Sequence, residues 1–573
     1  MKTPLFALLL LAACAVEEEP PAARYTSDQV AQLAFVCPGD PSGVCDLSED
    51  TTLHAGAAAV ATTPQEFETW IDNDGDGNYR SSIDEYLDCG LDRLCEGDPG
   101  WPGADEGEGD GTFQPLWLAG FDNSRAVQSV ADDTWARATV LRQGNTEIAV
   151  VSCDLVGLFL NEVEAMRERA RDELGIDHIL LSSTHVHEVP DTMGQWGRVL
   201  AESGVNPRHM QNLHDAVHEA IRQAQAAAVP VQVRAGRYDV PHTAWGGRGI
   251  NNVNVDTRDP AITDERILTT RFVDASSGAT VATWINFANH PEAAGSRNLA
   301  ITSDFAHTLR TTVEEGAIEG PDGPVDGVGG VAVYIQGAVG GMMTPLHADT
   351  IDLDGTEHTE HGLEKAYATG RVTGYHALQA IQAEEGIADP LLKLRTKTLF
   401  LPVENTGFHV LLNAEVFDRP GFNYNADEII TQWNRPDLKT EVDLLQVGSV
   451  SALSIPGELL PELAIGGYDG GHTGPLQDLV DAGNPNPPDL SAAPEGPYLK
   501  DLMPGDYKMI VGLGNDEIGY LVPEYNYVLA HSGPFLNEAP GDHYEETNSV
   551  GPTAVPSMLA IASAMMAFEP PEL

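Results

Sequence analysis

The chain has 573 residues, 87 of them acidic against 31 basic, for a formal net charge of −56. That balance excludes nucleic acid as a partner, because phosphate binding relies on clustered Lys and Arg, and it sets the protein against an anionic membrane surface. At 42% hydrophobic and 21% charged, the composition is that of a folded globular protein.

The N-terminus reads as an export signal. Lys2 precedes an apolar run over 4–11 that is too short to span a membrane. Leu11-Ala12-Ala13-Cys14 resembles the lipobox of bacterial lipoproteins, which predicts a signal peptide over 1–13 and a lipidated Cys14. Simple cleavage with a free Cys14 is the alternative. Ala15 stands where inner-membrane lipoproteins carry a retaining aspartate, which favours the outer membrane, with membrane contact only through the lipidated N-terminus. Residues 14–49 read as a tether and a short disulfide-bearing segment. Cys37 with Cys45 and Cys89 with Cys95 are close in sequence and predict two local disulfides; Cys153, in an apolar run, predicts a buried free thiol.

From residue 50 to 573 the chain reads as one catalytic domain. A strand over 53–64 opens it, and an acidic, loop-rich insertion at 66–112 interrupts it, with fifteen acidic residues over 66–110 against Arg80 and Arg93. Asp72, Asp74 and Asp76 alternate, with Gly77 after the third, which is the oxygen-rich turning loop that Ca²⁺ favours. Ile83 stands at the twelfth position, where an EF-hand carries its glutamate, so a solvated acidic loop is the competing reading.

Beyond residue 113, apolar runs alternate with amphipathic stretches. A strand over 147–153, a helix capped by Asn161 and stopped by Gly175, and a strand over 179–181 make a βαβ unit. Further helices are expected near 207–228, 304–315 and 360–384. The fold class is therefore α/β, with a mixed, largely parallel sheet flanked by helices and the acidic insertion near the N-terminus.

Polar residues fit for catalysis repeatedly follow the apolar runs. The run ending at Ser183 leads to His185 and His187, 281–288 to His290, 331–335 to Gln336, 447–455 to Glu458, and 509–513 to Tyr520. If these strands share one sheet, their carboxyl ends meet in one cleft. His185 and His187 lie on one side of an extended segment and suit either a metal or a hydrogen-bonded surface pair; His290 and Glu458 are donors fit for Zn²⁺. His347, His358 and His361 form a second group in a polar stretch, as a further metal site or with no chemical role.

Several segments together resemble the neutral ceramidases, zinc-dependent amide hydrolases. They are Leu118-Ala119-Gly120-Phe121, Asp132-Asp133-Thr134-Trp135-Ala136-Arg137-Ala138, Val151-Ser152-Cys153-Asp154-Leu155-Val156-Gly157, Ser183-Thr184-His185-Val186-His187, Asn286-Phe287-Ala288-Asn289-His290-Pro291, Pro456-Gly457-Glu458 and Gly512-Leu513-Gly514-Asn515. The resemblance implies zinc held by His185, His290, Glu458 and Tyr520, with His187 and Tyr544 catalytic and Arg248 as an active-site arginine. It also implies a small-molecule or lipid amide substrate, ceramide first among candidates. The alternatives are an esterase or amidase on another substrate, or a non-catalytic, Ca²⁺-binding surface lipoprotein that keeps the fold. Three departures bear on substrate. The family's Gly-Asp-Val-Ser-Pro is here Gly340-Gly341-Met342-Met343-Thr344-Pro345, with Met343 or Thr344 in place of serine. His-Ser-Gly-Pro is His187-Glu188-Val189-Pro190, which adds a carboxylate. The chain after Tyr544 is too short for the family's C-terminal immunoglobulin-like domain.

Overall fold

The computed structural model describes residues 35–37, 51–321 and 323–568. The expected signal peptide, Cys14 and the Cys45 half of a disulfide lie outside them. Two sheets stack face to face, each with helices on its outer side. The first runs in the order β9-β8-β7-β6-β2-β3-β4-β5, made of β2 His54–Ala61, β3 Trp135–Gln143, β4 Thr146–Cys153, β5 His178–Ser183, β6 Val229–Asp239, β7 Arg266–Asp274, β8 Thr280–Phe287 and β9 Val331–Gln336. The second runs β1-β10-β11-β12-β14, from β1 Phe35–Cys37, β10 Leu392–Pro402, β11 Asp437–Val447, β12 Val450–Ser454 and β14 Tyr507–Val511.

The alternation of side chains in β4 explains the layering. Ile148 and Val150 enter the core between the sheets, while Ala149, Val151 and Cys153 face α1 (Leu160–Leu174) and α2 (Pro207–Ala226). A strand buried on both faces reads as a continuous apolar run, which is how β4, β5 and β9 look in sequence. In β9, Val333 and Ile335 face the second sheet, and Ala332 and Tyr334 face α3 (Phe305–Glu315) and α4 (Leu363–Gln382).

The mixed sheet flanked by helices is as expected, and the βαβ unit is present, with β4 and β5 parallel. Parallel pairing in the large sheet is confined to its two edges, β4/β5 and β8/β9; the intervening pairs are antiparallel. Two local expectations are corrected. The run over 447–455 is a hairpin, β11 turning at Gly448 into β12. Helix α1 begins at Leu160 without a cap from Asn161; the carboxylate of Asp516 accepts the Leu160 N–H at 3.0 Å from across the fold. At its other end Gly175 takes the left-handed conformation expected of a helix stop, φ 76°.

The insertion has a small core of its own, in which Phe67, Trp70 and Tyr79 pack with Leu116 and Leu118. Its Cys89–Cys95 disulfide is formed. Among the described residues no helix is long and apolar enough to cross a membrane.

Candidate active site

The strand ends meet as expected, but they come from two sheets. His185 and His187 follow β5, His290 follows β8, and Gln336 ends β9. From the second sheet, β12 leads into β13 (Glu458–Leu459), which pairs in parallel with β15 (Tyr520–Leu521), setting Glu458 beside Tyr520. Backbone bonds lock the sheet ends together: Asn515 N–H to Leu181 O at 2.7 Å and Gly512 N–H to Gln336 O at 2.9 Å.

The histidines are oriented from behind. Nδ1 of His185 donates to Val156 O at 2.5 Å and Nδ1 of His290 to Met343 O at 2.8 Å. A carbonyl only accepts, so each Nδ1 carries the proton and each Nε2 presents a lone pair. Both lone pairs face one oxygen, Glu458 Oε2, at 3.3 and 3.1 Å. Atoms this close need a positive charge among them, a metal ion or, in its absence, a proton on one of the imidazoles. Ligand atoms ~2.0–2.1 Å from a tetrahedral zinc lie ~3.3 Å apart, so the donor set fits that metal. Burial disfavours a charged His290, yet its bond to Glu458 and the charges of Glu292 and Glu458 raise its pKa to about 9. His185 is also held at φ 66°, a conformation uncommon for a residue with a Cβ.

His187 completes the cluster, its ring centroid 4.9 Å from that of His185 and 5.6 Å from that of His290. Its Nε2 is buried without a hydrogen-bond partner, and its Nδ1 lies 3.1 Å from Glu292 Oε2. Burial lowers its pKa to about 4 against the opposing pull of Glu292, so the ring is neutral at pH 7 and able to accept a proton. A Cβ on Gly120 would stand 2.3 Å from the His187 ring, which is why only glycine fits there.

The cluster closes the polar end of a pocket whose walls are Val156, Phe159, Met193, Trp196, Phe408, Leu412, Phe417 and Leu438. Tyr520 and Tyr544 line it too; Tyr544 is 41% exposed, and its ring centroid is 6.0 Å from that of Tyr520. The Tyr520 hydroxyl donates to Met342 Sδ at 3.1 Å. Arg258, fully buried, bonds Glu545, Glu546 and the Asn526 carbonyl and so fixes the short helix α5 (Tyr544–Thr547) that carries Tyr544.

No protein-family model matches the sequence, and no characterised protein matches it by sequence. Solved structures do. The neutral ceramidase of Pseudomonas aeruginosa superposes with a TM-score of 0.57 at 13% identity, over 91% of this chain and 75% of that one. The fold is ceramidase-like. A ceramidase complexed with C2 superposes at TM-score 0.53 and 13% identity, over 91% and 76% of the two chains.

On this ceramidase-like fold, His185, His187, His290, Glu458, Tyr520 and Tyr544 gather at one pocket. Arg248 does not join them; it bonds Glu357 and the Asp349 carbonyl and lines a separate cleft with His347. The arginine that does line the pocket is Arg419, which bonds Asp516 at 2.8 Å and stacks over Phe159. Met343 turns its side chain into an apolar cluster with Ala288, Val339 and Leu513, while the Thr344 hydroxyl accepts the Leu346 N–H. Asp72, Asp74 and Asp76 do come within ligand range of one another, with Arg80 bridging Asp74 and Asp76 at 2.5 Å each. Among the described residues, His347, His358 and His361 form no such group. Cys153 is fully buried, and burial pushes its thiol pKa well up.

Three residues near the histidines carry roles that sequence reasoning did not assign. Glu292 faces His187. Glu517 lines the pocket, with Oε1 accepting the Gly519 N–H at 2.6 Å and Oε2 buried without a partner. Gln336 donates from Nε2 to Thr184 O and Asn289 O, both at 2.8 Å, and so ties together the residues just before His185 and His290. Gln336 stands in a run already singled out; its burial at a strand end was the available signal.

Proposed function

We propose that the protein is an exported, zinc-dependent hydrolase of N-acyl amide bonds, with ceramide-like lipids as the leading substrates. The observation that carries this reading is the convergence of His185 Nε2, His290 Nε2 and Glu458 Oε2 at the polar end of an apolar pocket. The ceramidase-like fold supports the choice of reaction. Zinc held by those three, with Tyr520 beside them, would supply a Lewis acid that polarises a carbonyl and lowers the pKa of water. The neutral His187 ring accepts the proton of the attacking water and, held by Glu292, returns it to the leaving nitrogen. The Tyr544 hydroxyl, at the pocket mouth, donates to the carbonyl oxygen as negative charge builds there. The apolar walls exclude water and take the acyl chain.

One observation favours a variant of this reading. Glu517 sets an unpartnered buried oxygen among apolar walls, which suits a substrate whose acyl portion carries a hydrogen-bonding group. The test of the main reading is zinc analysis of the purified protein, followed by fatty-acid release from a fluorescent ceramide before and after chelation and zinc restoration. Zinc-loaded protein that turns over no acyl amide or ester refutes it, as does chelated protein that keeps full activity.

A further inference from the structure

Fourteen large hydrophobic side chains are exposed among the described residues, and half of them gather around one opening. Tyr544 stands at the mouth of the apolar pocket, and Val199, Leu200, Val410, Ile429, Trp433 and Leu536 lie on three segments that border it. An apolar residue exposed singly needs no explanation; a group of them at the opening of a cavity does.

The segments are built against one another. The helix Thr406–Asn413 gives Phe408 and Leu412 to the pocket wall and leaves Val410 outside. Gln195 and Trp196 line the pocket just before Val199 and Leu200, and their loop packs on the chain leaving that helix, where a Cβ on Gly194 would stand 2.0 Å from Val416 O. At the C-terminal end of the helix, Asn413 bonds the backbone of Ile430 twice: its Nδ2 donates to the carbonyl and its Oδ1 accepts the N–H, each at 2.9 Å. That pair of bonds sets the loop of Ile429 and Trp433 beside the helix. At the N-terminal end, the capping residue Asn405 donates to Thr547 O at 2.9 Å, at the end of α5, which carries Tyr544. A Cβ on Gly407, in the first turn, would lie 3.6 Å from the Leu536 side chain.

Charge narrows what this rim can meet. Over 194–204, 405–435 and 531–540 the basic residues are Arg198, Arg419 and Arg435, and each is paired with a carboxylate, Glu202, Asp516 and Glu404 respectively. These segments offer no unpaired guanidinium or ammonium group to an anionic headgroup, and the net charge of −56 opposes an anionic surface.

We propose that the rim docks the protein on a zwitterionic lipid surface, so that an acyl chain passes from the lipid into the pocket without crossing water. The proposal rests on the reading of the pocket as an acyl-chain site and adds the surface from which the chain is drawn. An apolar collar continuous with an apolar cavity spares the chain an exposed step. Trp433, the most exposed of the six at 86%, carries the amphipathic ring that settles at headgroup level. This contact is additional to the lipid anchor expected at Cys14.

The test measures binding first and turnover second. The mature chain from position 14, with Cys14→Ser so that no anchor forms, is floated with phosphatidylcholine vesicles and is expected to rise with them. Ile429→Asp combined with Trp433→Asp is expected to lower the partition constant by about tenfold or more, with the Tm within about 1 °C of the parent because both positions are on the surface. Leu476→Asp, at an exposed apolar position away from the rim, is expected to leave binding unchanged. On an acyl amide held in vesicles the double variant is expected to raise KM and keep kcat, and on a short-chain amide free in solution to match the parent. A parent that stays out of phosphatidylcholine vesicles overturns the proposal, as does a double variant that binds like the parent, or a parent that binds only vesicles containing phosphatidylglycerol. Sedimentation that finds a dimer broken by the same two substitutions assigns the rim to a second copy of the chain and overturns it as well. Vesicle binding that follows the expected pattern in a protein that turns over no acyl amide or ester refutes the proposed reaction and leaves the docking surface standing.

Discussion

Replacing Gln336 by methionine asks whether one side chain holds the two histidine loops in place. Gln336 is fully buried, bonding Thr184 O and Asn289 O through Nε2 and accepting the Asn289 N–H on Oε1 at 3.2 Å. Methionine fills the same volume and makes none of these bonds. Among the described residues the Thr184 carbonyl and the Asn289 N–H are then left without a partner, while Asn289 O keeps the Tyr334 hydroxyl at 3.4 Å. Each orphaned buried group costs about 1–3 kcal/mol, so the loss is about 2–6 kcal/mol. With an unfolding entropy near 2.1 cal/mol/K per residue over about 520 residues, that is a fall in Tm of about 2–5 °C. If these histidines hold the proposed zinc, loosening their supports also lowers metal affinity by about 10–100-fold. Scanning fluorimetry reads the first effect and competition against a fluorescent zinc chelator the second. A variant whose Tm stays within about 1 °C and whose zinc affinity stays within about twofold refutes the assignment of Gln336 as the tether.

Three further outcomes are expected. Tyr544→Phe keeps the zinc content of the wild type and loses about 10²–10³-fold in kcat on an acyl amide, measured by steady-state kinetics, because only a hydroxyl at the pocket mouth is removed. Burial alone would raise Asp264, but Lys500 at 2.6 Å and Arg266 at 2.5 Å outweigh it and hold its pKa below the usual carboxylate range. A depressed folded-state pKa contributes stability that is complete above the unfolded value near ~4 and lost as the pH falls towards the folded one. The gap in denaturant midpoint between wild type and Asp264→Asn is therefore expected to be full at neutral pH and to shrink only below pH ~4. Cys153, buried and with its pKa pushed up, is expected to resist iodoacetamide in the native protein and to react once unfolded, as read by mass spectrometry.

Much of the site was legible in the sequence because its residues sit at the ends of strands buried on both faces. Such strands announce themselves as apolar runs, and a histidine or glutamate just past the run is conspicuous. The arrangement of those strands was not legible. β5 and β12 each pair with strands near them in sequence, so whether they share one sheet depends on how the two layers dock, and no local pattern encodes that. The cap of α1 shows the same limit. Asn161 has the right chemistry in the right place, yet the Leu160 N–H is taken by Asp516, 356 positions later. Arg248 was expected in the pocket from its distance before His290, but sequence distance does not set direction, and its guanidinium finds Glu357 instead. The hairpin at Gly448 was hidden because Val447, at the end of β11, and the residues of β12 read as one run across a short turn.

The division of the proposed metal donors between the ends of two sheets bears on the order in which the protein matures. His185 and His290 follow strands of the sheet completed by β9, whereas Glu458 and Tyr520 arrive only with the C-terminal part of the chain, on the two-stranded pair β13/β15 that follows the second sheet. A nascent chain that has emerged as far as β9 can pair its first sheet but holds only imidazoles at the future centre. Capture of the proposed metal by the full donor set would therefore wait until synthesis is nearly finished and both sheets have docked. An ion held as proposed would bridge strand ends from both layers, so that its removal is expected to loosen the contact between two halves of the molecule and not merely one loop.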